Sequence, residues 1–272
     1  MKNIFYILLL SILIYSCEQK CAVIPPLQPP SVGLKKVIIE EFTGVRCVNC
    51  PDGSAEIENL KTLYNENLIA ISIHAGTFAK PYANQDDYSI QDGKDILAFL
   101  GDPVGYPAAV IDRKVFPDNG GELQTGRNQW AGYISDESKI TPKVSISMSK
   151  TYTESNRLLE ITTNVVPTEN ISEKLALTVL ITEDSIIGKQ LLPSPIGLKD
   201  DYVHKHMLRD VVSNPTGDPI NEVTSKGNII TKKYSLTLPS NFVDKHCHII
   251  AFVSKVGSVK EILQAEEIKL SN

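Results

Sequence analysis

The apolar positions of this chain follow two different rhythms, one on each side of residue 140. On the first side, short apolar runs alternate with helical spacings. Val37-Ile38-Ile39-Glu40-Glu41-Phe42 predicts a short buried strand. Residues 54–64 place Ile57, Leu60 and Tyr64 at helical spacing. Leu68 to His74 predicts a second buried strand, followed by a polar loop to Ser89. Ile96, Leu97 and Leu100 predict a short helix, stopped by Gly101-Asp102-Pro103. Ala108 to Asp112 predicts a third strand, entered through Tyr106-Pro107, with no final hairpin strand evident after it. Residues 122–135, with Trp130 and Ile134, predict a closing helix. Strand-helix-strand alternation of this kind argues for an α/β layer with a parallel strand pair.

Past Thr141-Pro142 the helical spacing disappears, apart from a turn near Asn241. Lys143 to Tyr152 alternates, with Val144, Ile146 and Met148 on one face. Leu158 to Val166, Leu175 to Thr182, Ile229 to Leu238, His248 to Val253 and Ile262 to Leu270 follow, each bounded by turn-forming residues. This spacing predicts an all-β sandwich of about seven strands. The expected division is an α/β domain over residues 36–138 and a β-sandwich domain over 139–272.

The first residues stand apart. Lys2 precedes an apolar run from Ile4 to Tyr15, broken only by Ser11, and then Ser16 and Cys17. A permanent membrane helix needs about 20 apolar residues, so this run predicts a cleaved signal segment over residues 1–16. Leu13-Ile14-Tyr15-Ser16-Cys17 resembles the bacterial lipobox, which implies lipid on Cys17 and attachment to a membrane. A plain secretory signal with an incidental cysteine is the alternative. Residues 17–35, with Pro25, Pro26, Pro29 and Pro30, predict an extended tether.

Composition narrows the function classes. The 272 residues are 42% hydrophobic and 22% charged, an ordinary globular balance. A net charge of -5, no long basic run and one tryptophan give no footprint for nucleic acid. There is no Gly-rich phosphate loop, no Gly-x-Ser-x-Gly and no His-Glu-x-x-His, so no cofactor is assigned. Asp86-Asp87 and Asp200-Asp201 sit in polar stretches as solvated carboxylates. His204 and His206 would share one strand face, as would His246 and His248. Four imidazoles could ligate zinc or copper, but no pattern brings the two segments together. They are taken as surface or hydrogen-bonded residues, and no metal site is assigned. His74 ends a buried strand, in a capping or core role.

The five cysteines are Cys17, Cys21, Cys47, Cys50 and Cys247. Export places them in an oxidising compartment. Cys47-Val48-Asn49-Cys50 follows a strand and precedes a helix. A helix start stabilises a thiolate, so one cysteine attacks a disulfide and the other resolves the mixed intermediate. Arg46 and Pro51 flank the pair in a way that favours a lowered pKa at Cys47. The same spacing also suits a structural disulfide, so two readings stand: a redox centre or a clamp.

Two resemblances follow from these residues. Val37 to Phe42 followed by Arg46-Cys47-Val48-Asn49-Cys50-Pro51 resembles the central strand and active-site turn of the thioredoxin fold. That resemblance implies Cys47 as nucleophile, Cys50 as resolving thiol and Glu41 as a buried proton relay. An ordinary half-buried carboxylate is the other reading of Glu41. Gly105-Tyr106-Pro107-Ala108 resembles the segment carrying the fold's cis-proline, which implies Pro107 as the edge a substrate strand meets. Arg46 stands where thioredoxin has tryptophan, and Val48-Asn49 replace Gly-Pro. Over most of residues 17–270 the chain is similar to the Omp28-like outer membrane lipoproteins of the Bacteroidetes. The lipobox, the tether, Glu40-Glu41-Phe42-Thr43-Gly44, the all-β half and Tyr202 to Arg209 carry this likeness. It implies a lipid-anchored protein of the outer membrane and specifies no activity; the redox reading of the cysteine pair gives protein thiols or disulfides as the expected partners. The competing expectation is a non-enzymatic surface or periplasmic binding lipoprotein. Oligomeric state is left open.

Overall fold

Strand β1 (Val37–Thr43) is buried along its whole length, as its apolar run requires when both faces are covered. In the computed structural model, residues 33–271 are described. The expected signal segment, Cys17 and most of the tether lie outside them. After β1 come helix α1 (Cys50–Tyr64), strand β2 (Leu68–His74) and helix α2 (Gln91–Leu100). Strands β3 (Ala108–Ile111) and β4 (Gln124–Gly126) and helix α3 (Arg127–Glu137) complete this part. β1 pairs with β2 in parallel and with β3 antiparallel, and β3 pairs antiparallel with β4. Helix α1 starts four residues earlier than the apolar spacing predicts, because Pro51 suits a first turn that has no apolar position to reveal it.

Strand β4 corrects the expectation that no hairpin strand follows β3. Of its residues Gln-Thr-Gly only the threonine favours a strand, too little to signal one. Pairing holds them: Ala108 lies opposite Gly126, and the Thr125 hydroxyl donates to the Ala109 carbonyl at 2.7 Å.

Ten further strands follow. These are β5 (Val144–Thr153), β6 (Leu158–Pro167), β7 (Leu175–Glu183), β8 (Ile186–Pro193) and β9 (Ile196–His204). Then come β10 (Met207–Val211), β11 (Asp218–Ile220), β12 (Ile230–Thr237), β13 (Cys247–Lys255) and β14 (Ile262–Lys269). About seven were expected. The unforeseen ones lie between residues 186 and 220, where prolines, glycines and charges hide any alternation.

Strands β5, β6 and β12 form a small antiparallel sheet. It faces β7, β13 and β14, and Val144, Leu159, Ile161, Leu177, Val179, Ile249 and Ala251 fill the space between. The facing layer is not separate from the first part of the chain. One mixed sheet runs β14-β13-β7-β10-β2-β1-β3-β4, with β11 also on β7. The joint is β10, antiparallel to β7 and parallel to β2 at Met207 and Ser72.

Helix α2 covers one face of this sheet and spans the joint. Its Ile96, Leu97 and Leu100 pack on Ile38, Phe42, Ile71 and Ile73, and the same cluster holds Leu180, Leu208, Ile250 and Phe252. On the opposite face α1 and α3 bring Ile57, Leu60, Trp130 and Ile134 against Val37, Ile39, Leu68 and Ile111. Alternate residues of β1 therefore serve different cores. Glu40 shares a face with Ile38 and Phe42 and forms a fully buried bidentate pair with Arg113, at 2.7 and 2.8 Å. Glu41 points the other way, toward α1. Among the described residues no helix is long and apolar enough to cross a membrane.

Candidate functional site

The turn after β1 is shaped by a close approach. A Cβ on Gly44 would lie 2.3 Å from the Phe78 carbonyl carbon, so glycine alone lets the two backbones pass. Arg46 then donates its backbone N–H to Phe78 O at 3.0 Å, and Cys47 to Gly44 O at 3.0 Å. Cys47 and Cys50 are joined in a disulfide, with Cα atoms 5.3 Å apart. Cys50 is the first residue of α1, and Cys47 lies in the turn before it. Cys47 is only 3% exposed and Cys50 1%.

Arg46 is committed elsewhere. Its Nε and Nη2 donate to the carbonyls of Lys80 and Pro81, both at 2.8 Å, and its guanidinium lies 4.1 Å over the Tyr82 ring. It fastens the 80–82 loop to the cysteine turn.

Glu41 sits beneath the first turn of α1. A Cβ on Gly53 would fall 2.7 Å from Glu41 Oε1 and 2.8 Å from Pro107 Cβ, so helix, acid and proline meet at a glycine. The Tyr106–Pro107 peptide is cis. The Ser72 hydroxyl donates to Glu41 Oε2 at 3.1 Å, while Oε1 is buried without a partner. Burial pushes this carboxyl up to about 8, against the opposing effect of the Ser72 bond. Glu41 is thus a protonated acid at neutral pH.

A feature with no sequence signal covers the pair. Strands β8 and β9 form a two-stranded hairpin outside both larger sheets. Gln190 Nε2 donates to Cys47 O at 3.1 Å and reaches Gly44 O at 3.5 Å. Leu191 donates its backbone N–H to Val45 O at 2.9 Å. A cavity of about 10 Å³, the size of one water, lies beneath, lined by Cys50, Thr43, Ser54, Ser72, His74 and His204 among others. His74 and His204 stand edge to face with ring centres 5.4 Å apart, and Tyr88 packs against both. Burial holds His74 down to about 3, with His204 adding to it, and His204 down to about 4. Both imidazoles are neutral at physiological pH. His74 Nδ1 and His204 Nε2 have no partner.

The histidine segments separate by role. His204 turns inward, toward Cys50. His206 and His248 meet at one carboxylate, Asp184, at 3.2 and 3.6 Å. His206 Nε2 also lies 2.8 Å from Glu58, and His248 Nδ1 3.1 Å from Glu267. The two segments are therefore neighbours, bridged by Asp184, which sequence spacing could not reveal. His246 lies in a short helical turn ahead of β13; its carbonyl accepts the Asp184 N–H at 3.0 Å, but its ring takes no part in these pairs. Among the described residues no group of three or more His, Cys, Asp or Glu is arranged to hold a metal ion. Cys247 takes no part in these side-chain pairs. It is fully buried, its thiol bonds to Val243 O at 3.3 Å, and burial pushes it up to about 12.

The architecture defines a β-rich protein whose mixed sheet carries a sealed cysteine pair at the end of a central strand. By sequence, residues 102–271 match the family described as Outer membrane protein Omp28, and the chain belongs to that family. Membership places it in the cell envelope, at the outer membrane. Its fold is similar to that of HBP35 of Porphyromonas gingivalis, with a TM-score of 0.66 and 21% identity over 89% of this chain and 77% of the other. It is also similar to protein AGR_C_4864 from Agrobacterium tumefaciens, with a TM-score of 0.56 and 13% identity over 89% of this chain and 97% of the other. At these identities the likeness concerns the fold alone. A search of curated proteins finds no match to the sequence.

Gln190, Ser72, Gly53, Tyr202 and His204 join the site without having been singled out for it. Only Tyr202 and His204 had a signal, as part of the Tyr202 to Arg209 segment.

Proposed function

We propose that the chain is an envelope thiol-disulfide exchanger with a thioredoxin-like core and Cys47–Cys50 as its redox couple. The observation that carries this reading is the convergence of four features at one point. They are the disulfide at the strand-to-helix turn, the buried acid Glu41, Gly53 in the first helical turn and cis-Pro107. The strand order β2-β1-β3-β4, with a helix after each of β1, β2 and β4, supports it as well.

In this reading a partner dithiol reduces the couple. One partner thiolate attacks Cys47 Sγ, the S–S bond breaks, and Cys50 leaves as a thiolate that takes the Glu41 proton. The second partner thiol loses its proton and attacks its own mixed-disulfide sulfur, so Cys47 leaves reduced and the partner leaves oxidised. Pro107 forms the edge the partner meets, Arg46 holds the rim, and protein thiols or disulfides are the substrates. Lipid on Cys17 anchors the chain. It then pulls on the entry end of β1, about 20 Å from the cysteine end for a strand of seven residues.

The test is the reduction potential of the couple in a soluble form beginning after Cys21. A value of about -120 to -270 mV supports an exchanger, and one below about -300 mV marks a structural disulfide. Loss of exchange with model disulfides in Cys47→Ser is the accompanying expectation. The second reading is a non-enzymatic binding lipoprotein clamped by this disulfide, and the near-complete burial of both cysteines favours it.

A further inference from the structure

A thiol can attack a disulfide only along the S–S axis, with the sulfur in reach. Here the route is closed by a piece of the same chain. The β8–β9 hairpin places two donor groups on three carbonyls of the cysteine turn: the Gln190 amide on Gly44 O and Cys47 O, and the Leu191 N–H on Val45 O. Gly188 permits this seat, since a Cβ there would lie 2.0 Å from Tyr88 Oη. Lys189 is tied to the 83–85 loop by its carbonyl, which accepts from Gln85 at 3.0 Å, and by its ammonium, which donates to Ala83 O at 2.9 Å.

The cover is lightly held. A two-stranded hairpin alone is marginally stable. Its outer apolar residues are unburied, with Ile187 68% and Ile196 78% exposed. Between β9 and α1 there is a cavity of about 270 Å³ in place of packed side chains. Tyr202, Val203 and Lys205 line it on the hairpin side, and Pro51, Ser54 and Ala55 on the helix side. The two ends of the hairpin also have a distinctive backbone. Ser185, just before β8, has φ 62°, and His206, two residues after β9, has φ 53°. Non-glycine residues seldom adopt this region, and such element-terminal positions are where hinges absorb rotation. A clasp joins the two ends: the His206 N–H donates to Asp184 Oδ1 at 2.6 Å. The His206 ring and the Lys205 ammonium reach Glu58 on α1.

We infer that the β8–β9 hairpin is an autoinhibitory lid, hinged at Ser185 and His206, which must lift before any thiol reaches the Cys47–Cys50 pair. The donors it places on Gly44, Val45 and Cys47 are backbone-like. A partner that displaces it therefore offers an extended polypeptide with free N–H groups to the same three carbonyls. This role rests on the redox reading only for its purpose. The closure itself is a property of the pair, whether redox or structural.

The test is the rate at which a phosphine reduces the disulfide in the otherwise unmodified chain. A phosphine takes up oxygen from water as it delivers two electrons, so the reaction runs forward whatever the potential of the pair. With a lid, the rate in wild type rises with phosphine concentration and then levels off at the opening rate. Gln190→Ala should raise that plateau by about threefold to tenfold, and replacement of residues 187–203 by a short Gly-Ser linker should remove it. A strictly linear dependence in wild type, with the Gln190→Ala rate within about twofold of it, would overturn the proposal. The wild-type measurement needs no variant to fold. Failure of the redox reading shows separately, as a potential below the exchanger range with the plateau intact.

Discussion

The two halves of the main sheet bury different chemistry. At the β7-β13-β14 end an apolar layer, with Leu177, Val179, Ile181, Ile249, Ala251 and Val253, packs against the small sheet, and Glu183 is the buried carboxylate beside mostly uncharged polar residues. At the β1-β2-β3 end the same depth holds Glu40, Glu41, His74 and Arg113, with His204 brought in by the lid. Several of their polar atoms lack partners, including Glu41 Oε1, His74 Nδ1 and His204 Nε2. Each such atom costs about 1–3 kcal/mol. A sheet can carry that load at one end when the other end and α2 supply the cohesion. The apolar half stabilises, and the polar half is where chemistry is held in reserve.

The largest expected effect tests whether the polar end depends on pairing. Arg113→Met leaves Glu40 buried without its bidentate partner and should cost about 3–5 kcal/mol in urea unfolding. Adding Glu40→Met should restore most of that loss, because two apolar residues of similar size need no pairing. At the apolar end Leu177→Ala should cost about 2–5 kcal/mol with no neighbouring substitution that repairs it. If the double variant stays as unstable as Arg113→Met, the contrast between the halves fails.

The next effect is read through pH. Glu41 releases its proton near the ordinary 4.5 in the unfolded chain but holds it to about 8 when folded. Between these values the folded state binds more protons, so this group's stabilisation is lost as pH rises, by up to about 1.4 kcal/mol per pH unit. Buried His74 behaves oppositely. Its folded value of about 3 lies below the ordinary 6.5, so stability is lost as pH falls between them. Urea midpoints of Glu41→Gln and His74→Phe, each compared with wild type from pH 4 to 8, should diverge in opposite directions. Parallel curves would show that neither group is buried as described.

The smallest effect concerns Gly53. Glycine to alanine within a helix ordinarily gains about 1 kcal/mol. Here the added methyl meets Glu41 Oε1 and Pro107, so Gly53→Ala should instead lose about 1–3 kcal/mol by thermal unfolding. A gain would mean that helix, acid and proline are packed more loosely than the 2.7–2.8 Å approaches indicate.

Local pattern was enough for much of this molecule. The apolar runs at 37–42, 68–74 and 108–111 announced three core strands, because a strand buried on both faces is mostly apolar, with Glu40, Glu41, Ser72 and His74 as the buried exceptions. The alternation over 143–152 and the turn-bounded apolar runs after it announced the strands of the small sheet and of its facing layer. Cys47, Cys50, Glu41 and Pro107 were chosen from spacing and resemblance, and the fold brings them to one place. What tertiary structure alone decided has a common physical character. The joining of both halves into one sheet depends on β10, whose single parallel pair to β2 leaves no trace in composition. The three polar residues of β4 are a strand only because β3 lies beside them. Gln190 lies 143 residues from the Cys47 carbonyl it bonds, and the meeting of His206 with His248 needs Asp184 between them. Hydrophobic period encodes which side of an element faces inward. It carries no information about which distant element arrives to cover that side.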